Sequence, residues 1–80
     1  MSRHIQLVCL DRLARFLKRR GRCAGPSELQ KLFRTTQHET WAVVEALSDE
    51  GLISDIRLAG ECSYLVTADG YGVLARELRQ

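Results

Sequence analysis

The stretch RTTQHETWAVVEALSDEGLI, residues 34–53, decides the fold that this sequence predicts. Small or apolar side chains recur in it at positions i, i+3, i+4 and i+7, which is the spacing of one buried helix face. That face would consist of Thr40, Val43, Val44 and Leu47. The pattern therefore predicts a helix over about residues 37–50.

Both ends of this helix are marked in the sequence. Thr36 and Glu39 have the spacing of a capping box, in which each side chain satisfies a backbone amide at the helix start. Gly51 suits the position just beyond the last turn, because glycine readily adopts a left-handed backbone. Glu39 also stands at the positive end of the helix dipole, so the helix itself explains part of its charge.

A shorter helix precedes this one, after a turn at Gly25 and Pro26. Ser27 and Gln30 have the spacing of a second capping box, and the helix is expected to end near Arg34. Its buried face would be Leu29, Leu32 and Phe33. Because only about three residues separate the two helices, together they predict a helix-turn-helix.

Residues 3–20 predict the first helix of the chain. Gly21 supplies its stop signal, and the cations of its last turn suit the negative end of the helix dipole. Its buried stripe would comprise Leu10, Leu13, Ala14 and Leu17, extended upstream by Ile5 or Leu7 and by Cys9.

After Gly51 the pattern changes to that of a hairpin. LISDIRL and CSYLVT predict two strands joined by a tight connection, AGE, in which Gly60 should adopt positive φ. A final helix is expected from its cap at Thr67 to Arg79, and Gly70 and Gly72 should weaken its first turns.

Composition bounds the class of protein. The 80 residues are 45% hydrophobic and 28% charged, which is typical of one ordinary globular domain. The apolar runs are too short to span a bilayer, and the amphipathic N-terminus lacks the features of a secretory signal, so a cytoplasmic location is expected. The three cysteines lack metal-binding spacing: Cys9 should be a buried apolar residue, and Cys23 and Cys62 could be exposed thiols.

Charge is divided unevenly along the chain, whose net charge is +2. Residues 1–34 carry nine Lys or Arg against two acids, a balance of +7, and residues 35–80 carry three against eight, a balance of −5. Such asymmetry indicates a charged partner or head-to-tail self-association.

The order and spacing of these elements resemble a winged helix-turn-helix domain of the kind found in MarR- and PadR-like bacterial transcriptional regulators. Three segments carry the resemblance: PSELQKLF, TTQHETWAVVEALSDEGLI and SYLVTADGYGVLAREL. It implies an α+β fold with a three-helix core, a two-stranded wing and a C-terminal helix, forming a single domain over residues 1–80. It also implies that the third helix enters the major groove of double-stranded DNA.

The resemblance implies which residues would contact DNA. Glutamine can pair with adenine, and threonine can hydrogen-bond a phosphate. The candidate DNA-binding residues are Lys31, Arg34, Thr35, Thr36, Gln37, His38, Trp41 and Arg57. Further cations that could add to this interface come from the first helix and its end: Arg12, Arg15, Lys18, Arg19, Arg20 and Arg22. Arg15, Lys18 and Arg19 could instead form only a solubilising face.

One observation opposes DNA binding. Residues 35–56 contain no Lys or Arg, and Glu45 would approach the phosphates from the middle of the third helix. The alternative is a protein-interaction module, in which the acidic third helix and Trp41 dock on a basic partner or on the first helix of another copy. A homodimer through the first or the C-terminal helix is also expected, because two-fold symmetry would double the DNA contacts.

Catalysis is not indicated. The sequence contains no Ser/His/Asp or Cys/His arrangement, no Gly-rich phosphate loop and no metal-ligand spacing. The expectation is a binding protein that requires no cofactor and no metal.

Overall fold

A computed structural model describes residues 2–78, except for the side chain of Leu58. The predicted α+β winged-helix arrangement is confirmed, and the elements follow the expected order. They are α1 (Arg3–Arg20), α2 (Pro26–Phe33), α3 (Gln37–Asp49), β1 (Ile53–Leu58), β2 (Glu61–Val66) and α4 (Ala68–Val73), which continues into a π-helical segment (Leu74–Leu78).

The core lies where α1, α2, α3 and the C-terminal helix meet, and the predicted buried faces are largely confirmed. The whole predicted face of α3 is buried: Thr40, Val43, Val44 and Leu47. On α1 the stripe continues to Leu7 rather than to Ile5, whose side chain is 46% exposed. Cys9 is buried as expected, and this burial raises the pKa of its thiol. Leu17, Leu32 and Leu78 are only partly buried at the edge of the core.

The predicted start of α2 is wrong by two residues. Gly25 is the N-cap and Pro26 is the first helical residue, because its ring fixes φ near the helical value and it has no amide to satisfy. Glu28 closes the cap by accepting a hydrogen bond from the Gly25 amide at 3.1 Å. Ser27 and Gln30 therefore form no capping box, and both are exposed on the helix surface.

The start of α3 is predicted correctly, but only half of its capping box forms. The Thr36 side chain accepts a hydrogen bond from the Glu39 amide at 3.1 Å. Within the described part of the chain, the Glu39 carboxylate does not return this bond to Thr36 and instead lines a groove beside α1. At the other end, Glu50 is the C-cap and Gly51 has φ of 71°.

The hairpin turn is shorter than predicted. Glu61 pairs with Leu58, so only Ala59 and Gly60 connect the strands. Their φ values of 53° and 80° are the positive values that a two-residue hairpin turn requires. Next to the hairpin, Ala24 pairs with Tyr64 through two backbone hydrogen bonds of 3.1 and 2.8 Å, which attach β2 to the segment before α2.

The C-terminal helix is attached to the end of α3 by Thr67 and Gly70. The Thr67 hydroxyl donates to the Gly51 carbonyl at 2.7 Å and accepts from the Gly70 amide at 3.1 Å. A Cβ atom on Gly70 would lie 2.3 Å from the Leu52 carbonyl oxygen, so Gly70 is required by close packing rather than by backbone conformation. The predicted helix end at Arg79 lies outside the described residues.

One arginine joins the start of α1 to both later helices. Arg3 forms ion pairs with Glu50 at 2.6 Å and with Glu77 at 3.2 Å. The pairing lowers the pKa of Glu77, chiefly through the hydrogen bond from Arg3. The acidic end of α3 is thus partly neutralised within the fold.

The two glycines of the C-terminal helix should respond oppositely to alanine. Gly70→Ala forces a methyl group against the Leu52 carbonyl and Val66, so the free energy of unfolding should fall by about 1–3 kcal/mol or more. Gly72→Ala meets only the flexible end of Arg76 at 3.2 Å, so the higher helix propensity of alanine should leave stability unchanged or raise it by up to about 1 kcal/mol. Urea denaturation measures both, and equal effects would contradict the close approach at Gly70.

The ion pair before α2 predicts a pH-dependent loss of stability. Two short hydrogen bonds from Arg22, at 2.8 and 2.6 Å, and then the Gly25 amide lower the pKa of Glu28 from 4.5 to about 2. Because the folded pKa is depressed, the stabilisation is complete above the unfolded pKa and is lost as pH falls through the folded one.

Glu28→Gln should therefore lower the melting temperature by a few degrees at neutral pH, and the difference from the unmodified chain should vanish between pH 4.5 and 2. Glu61→Gln is the control, because Glu61 has no ion pair within residues 2–78. A deficit of Glu28→Gln that persists at pH 2 would contradict the proposed role of the ion pair.

Candidate nucleic-acid interface

The outer face of α3 is not covered by the rest of the described chain. Gln37, His38 and Glu45 are exposed, and Trp41 is 40% exposed. Ala42, between them, is half-buried. The condition on which both sequence-based hypotheses depend, an accessible outer face of α3, is therefore met.

Trp41 is accessible but held in place. Its ring contacts the buried Tyr64 ring edge-on, with centroids 6.3 Å apart and an interplanar angle of 64°. Burial of Tyr64, followed by its interaction with Cys62, raises the pKa of the Tyr64 phenol to about 12. The contact links α3 to β2. One side of the Trp41 ring therefore packs against the fold while the other side is exposed to solvent.

A groove of about 240 Å³ lies between α2 and the first half of α3. It is lined by Pro26, Ser27, Gln30, Gln37, Thr40 and Trp41. Two of the predicted site residues, Gln37 and Trp41, are brought together here. The contribution of Ser27 and Gln30 was not predicted from the sequence, because their spacing also fits a helix cap. The available signal was the exposed polar stripe of α2 at helical spacing, Ser27, Gln30, Lys31 and Arg34.

The two threonines at the start of α3 differ in what they can offer a ligand. Thr40 donates its hydroxyl proton to the Thr36 carbonyl at 2.9 Å, so the 2.7 Å contact between Thr35 and Thr40 must use the proton of Thr35. Thr36 only accepts, from the Glu39 amide, and its proton remains available. Thr36 can therefore cap α3 and donate to a phosphate at the same time, whereas Thr35 cannot donate without breaking its own bond.

Lys31 and Arg34 lie together at the C-terminal end of α2. Arg34 is the C-cap, with φ of 57°, and its amide donates to the Gln30 carbonyl. Neither side chain has an ion pair within residues 2–78. Both line a cleft of about 200 Å³ with three arginines of α1. From the sequence, those arginines were only possible contributors to the interface.

The remaining predicted residues are not brought into either groove. His38 is exposed in the first turn of α3. Arg57 is exposed on β1, opposite Cys62 and two residues before the hairpin turn, so it belongs to the wing. Arg57 could reach a ligand of α3 only if the wing also contacts that ligand.

Part of the acidic charge near α3 is engaged elsewhere. Glu50 pairs with Arg3 and Glu28 pairs with Arg22. Within residues 2–78, Glu45 and Asp49 are exposed and have no ion pair. Glu45 is therefore the main negative charge that a ligand on the middle of α3 would meet.

The cysteines form neither a disulfide nor part of a metal-binding group in the part of the chain that the structure describes. All three are free, and Cys23 and Cys62 are half-buried rather than fully exposed. Among these residues no group of three or more His, Cys, Asp or Glu could hold a metal ion. Across residues 2–78, each helix is too short or too polar to pass through a bilayer.

Comparison with known proteins identifies the fold. No protein-family model matches the chain. No curated protein matches it either. Among solved structures, BpsR from Bordetella bronchiseptica, whose DNA binding is regulated by 6-hydroxynicotinic acid, has a TM-score of 0.76 over 94% of this chain at 19% sequence identity. BldR, a transcriptional regulator from Sulfolobus solfataricus, has a TM-score of 0.69 over 91% of this chain at 20% identity.

These likenesses confirm the winged helix-turn-helix fold that the sequence resembles. At such low identity they establish the fold alone. The chain covers 52% of BpsR and 50% of BldR, so it spans about half the length of these proteins. The expectation of a single domain over residues 1–80 stays a prediction.

The dual role of Thr36 can be tested first through stability. Thr36→Ala removes the side-chain acceptor for the Glu39 amide, and the free energy of unfolding should fall by about 1 kcal/mol. Thr36→Asp retains an acceptor and adds negative charge near the positive end of the helix dipole, so stability should be kept. Urea denaturation distinguishes the two variants, and an equal loss in both would show that the cap contributes nothing.

Proposed function

We propose that this domain binds double-stranded DNA, as a transcriptional regulator or accessory factor, by placing α3 in the major groove. The observation that carries the proposal is the open first half of α3, where Gln37, His38 and Trp41 face solvent. A major groove is wide enough to admit one α-helix, and specificity comes from side chains on its outer face.

Different residues have different roles in this proposal. Gln37, in the groove between α2 and α3, is suited to a bidentate pair with adenine, and His38 and Trp41 contact neighbouring bases or sugars. Thr36 donates to a phosphate near the helix start, where backbone amides also favour anions. Thr35 supports the turn and makes no phosphate contact of its own.

Phosphate neutralisation would come from elements around α3, because α3 itself carries no Lys or Arg. Lys31 and Arg34 flank its start, and Arg57 acts through the wing. Such contacts position a protein on DNA and provide sequence-independent affinity. Glu45 opposes them and lowers the affinity, although a glutamate can accept a hydrogen bond from cytosine.

The likeness to solved structures supports a general role in transcriptional regulation for this chain. BpsR is a DNA-binding protein and BldR is a transcriptional regulator, and this chain has the same fold as about half of each. The proposal does not extend to their other properties. It describes non-catalytic binding in the cytoplasm that requires no cofactor and no metal.

A second candidate function rests on the acidic side of the same helix. Trp41 is 40% exposed, and tryptophan is enriched among the residues that dominate protein–protein binding. Glu45, one turn further along α3, has no ion pair within residues 2–78 and could attract a basic partner. In this hypothesis α3 docks on a basic protein or on α1 of another copy. Homodimerisation also stays a prediction: α1 and the C-terminal helix border a groove lined by Ala14, Arg15, Lys18, Arg19 and Tyr71, the last 44% exposed.

Fluorescence anisotropy with random duplex DNA across a salt series separates the two functions. DNA binding should weaken steeply as salt rises, because each phosphate contact releases about 0.9 counterion. Two substitutions that remove one negative charge each sharpen the test. Glu45→Gln should tighten binding about two- to fivefold at low salt by removing repulsion next to the phosphates. Asp69→Asn, on α4, should have a much smaller effect.

Equal effects of Glu45→Gln and Asp69→Asn would remove α3 from the DNA interface. Absence of binding to DNA at low salt would reject the proposed function and favour the docking hypothesis. Under that hypothesis Glu45→Gln weakens binding to a poly-lysine peptide, which is the opposite direction to its effect on DNA.

A further inference from the structure

A cleft between α1 and α2 gathers cations that are far apart in the sequence. Its volume is about 200 Å³, and it contains five positive charges and no acid. The lining residues are Arg12, Arg15 and Arg19 of α1 with Lys31, Leu32 and Arg34 of α2. We call this site the basic cleft.

Little of this charge is neutralised by the fold. Arg15 pairs with Asp11 at 2.8 Å, and Arg12 donates to the Phe33 carbonyl at 3.0 Å, which leaves its charge uncompensated. Within residues 2–78, Arg19, Lys31 and Arg34 have no ion pair or hydrogen-bonded side-chain partner. By contrast, Arg3 and Arg22, outside the cleft, are both paired with glutamates.

A purely structural role does not account for the basic cleft. Arg12, Arg15 and Arg19 are three or four residues apart along one helix face, a spacing at which like charges destabilise a helix. A solubilising face would point such charges away from one another. Here, cations of two helices line one concave surface, which suits an anion that bridges them. Arg15 and Arg19 lie at its edge, because they also line the groove next to the C-terminal helix.

We propose that the basic cleft binds the phosphodiester backbone of the DNA duplex that α3 contacts, so that the DNA interface extends across α2 onto α1. This inference rests on the proposed function. Four of the five cations are arginines, whose planar guanidinium groups match phosphate oxygens in bidentate pairs. Arg34 both lines the cleft and immediately precedes Thr35 and Thr36, so the positive surface is continuous with the start of α3.

The basic cleft also explains why an α3 without cations could remain on DNA. Electrostatic affinity depends on the number of phosphates neutralised and not on which element carries the charge. The cleft would supply the charge that residues 35–56 lack, while the first half of α3 contributes hydrogen bonds and the aromatic ring of Trp41.

Two pairs of substitutions on α1 test the proposal at equal change in net charge. Arg15→Gln with Arg19→Gln removes two charges of the cleft, and Arg15 is 69% exposed, so the core is not disturbed. Lys18→Gln with Arg20→Gln is the control, because these exposed residues do not line the cleft. Circular dichroism and thermal melting verify that both variants fold.

Binding of each variant to a random duplex of about two helical turns is measured by anisotropy from low to moderate salt. For Arg15→Gln with Arg19→Gln, the slope of log affinity against log salt should become about two units shallower, with an affinity loss on the order of tenfold at low salt. The control should change the slope by less than about one unit, because its two charges lie outside the cleft and would make no direct contact with a phosphate there.

The outcomes distinguish failure of the cleft proposal alone from failure of the proposed function. If the unmodified chain binds DNA and both pairs of substitutions give the same slope, the cleft proposal is overturned and the proposed function stands. If the unmodified chain does not bind DNA, both fail. If Arg15→Gln with Arg19→Gln leaves DNA binding unchanged but abolishes binding to a poly-glutamate peptide, the cleft accepts an acidic protein instead of DNA.

Discussion

One buried hydroxyl group, that of Thr40, joins the start of α3 to the turn that precedes it. Thr40 is the only buried polar residue within the described chain, at 2% exposure. Its hydroxyl forms hydrogen bonds with both threonines of the turn between α2 and α3. It donates to the Thr36 carbonyl and accepts from Thr35, so the residues that connect the helices are tied to the first turn of α3. With Phe33 held in the core just before this turn, Gln37 just after it is directed to the surface. Together with the burial of Val43, Val44 and Leu47 on the inner side of α3, this local arrangement leaves the outer face of the helix accessible.

Features that depend on local spacing could be predicted from the sequence. The buried face of α3, its cap at Thr36 and the hairpin with Gly60 at positive φ each depend on residues within a few positions of one another. The start of α2 was predicted wrongly because two cap patterns overlap there, and the proline at the first helical position prevails over Ser27. Gly70 was predicted only as a weak helix residue, because its contact with Leu52 joins elements that are distant in sequence.

In the candidate site, too, local features could be predicted from the sequence and contacts between distant segments could not. Sequence analysis found the exposed residues of α3, whose accessibility follows from the helical period. It did not find the basic cleft, because the charges of α1 and those of α2 come together only when the two helices pack. It also could not distinguish Thr35 from Thr36 as a phosphate donor, since the difference lies in which hydroxyl proton is already used.

The left-handed backbone conformation of Arg34 affects which residues suit the end of α2. Arg34 ends α2 with φ of 57°, a backbone region that costs a residue with a side chain roughly 1–2 kcal/mol and that glycine enters freely. An arginine at this helix end therefore adopts a conformation that glycine would adopt at lower cost. Under the proposed function, exchange for glycine would stabilise the fold and remove one phosphate contact. The backbone at this one residue would then set a trade-off between stability and affinity for DNA that protein engineering could shift in either direction.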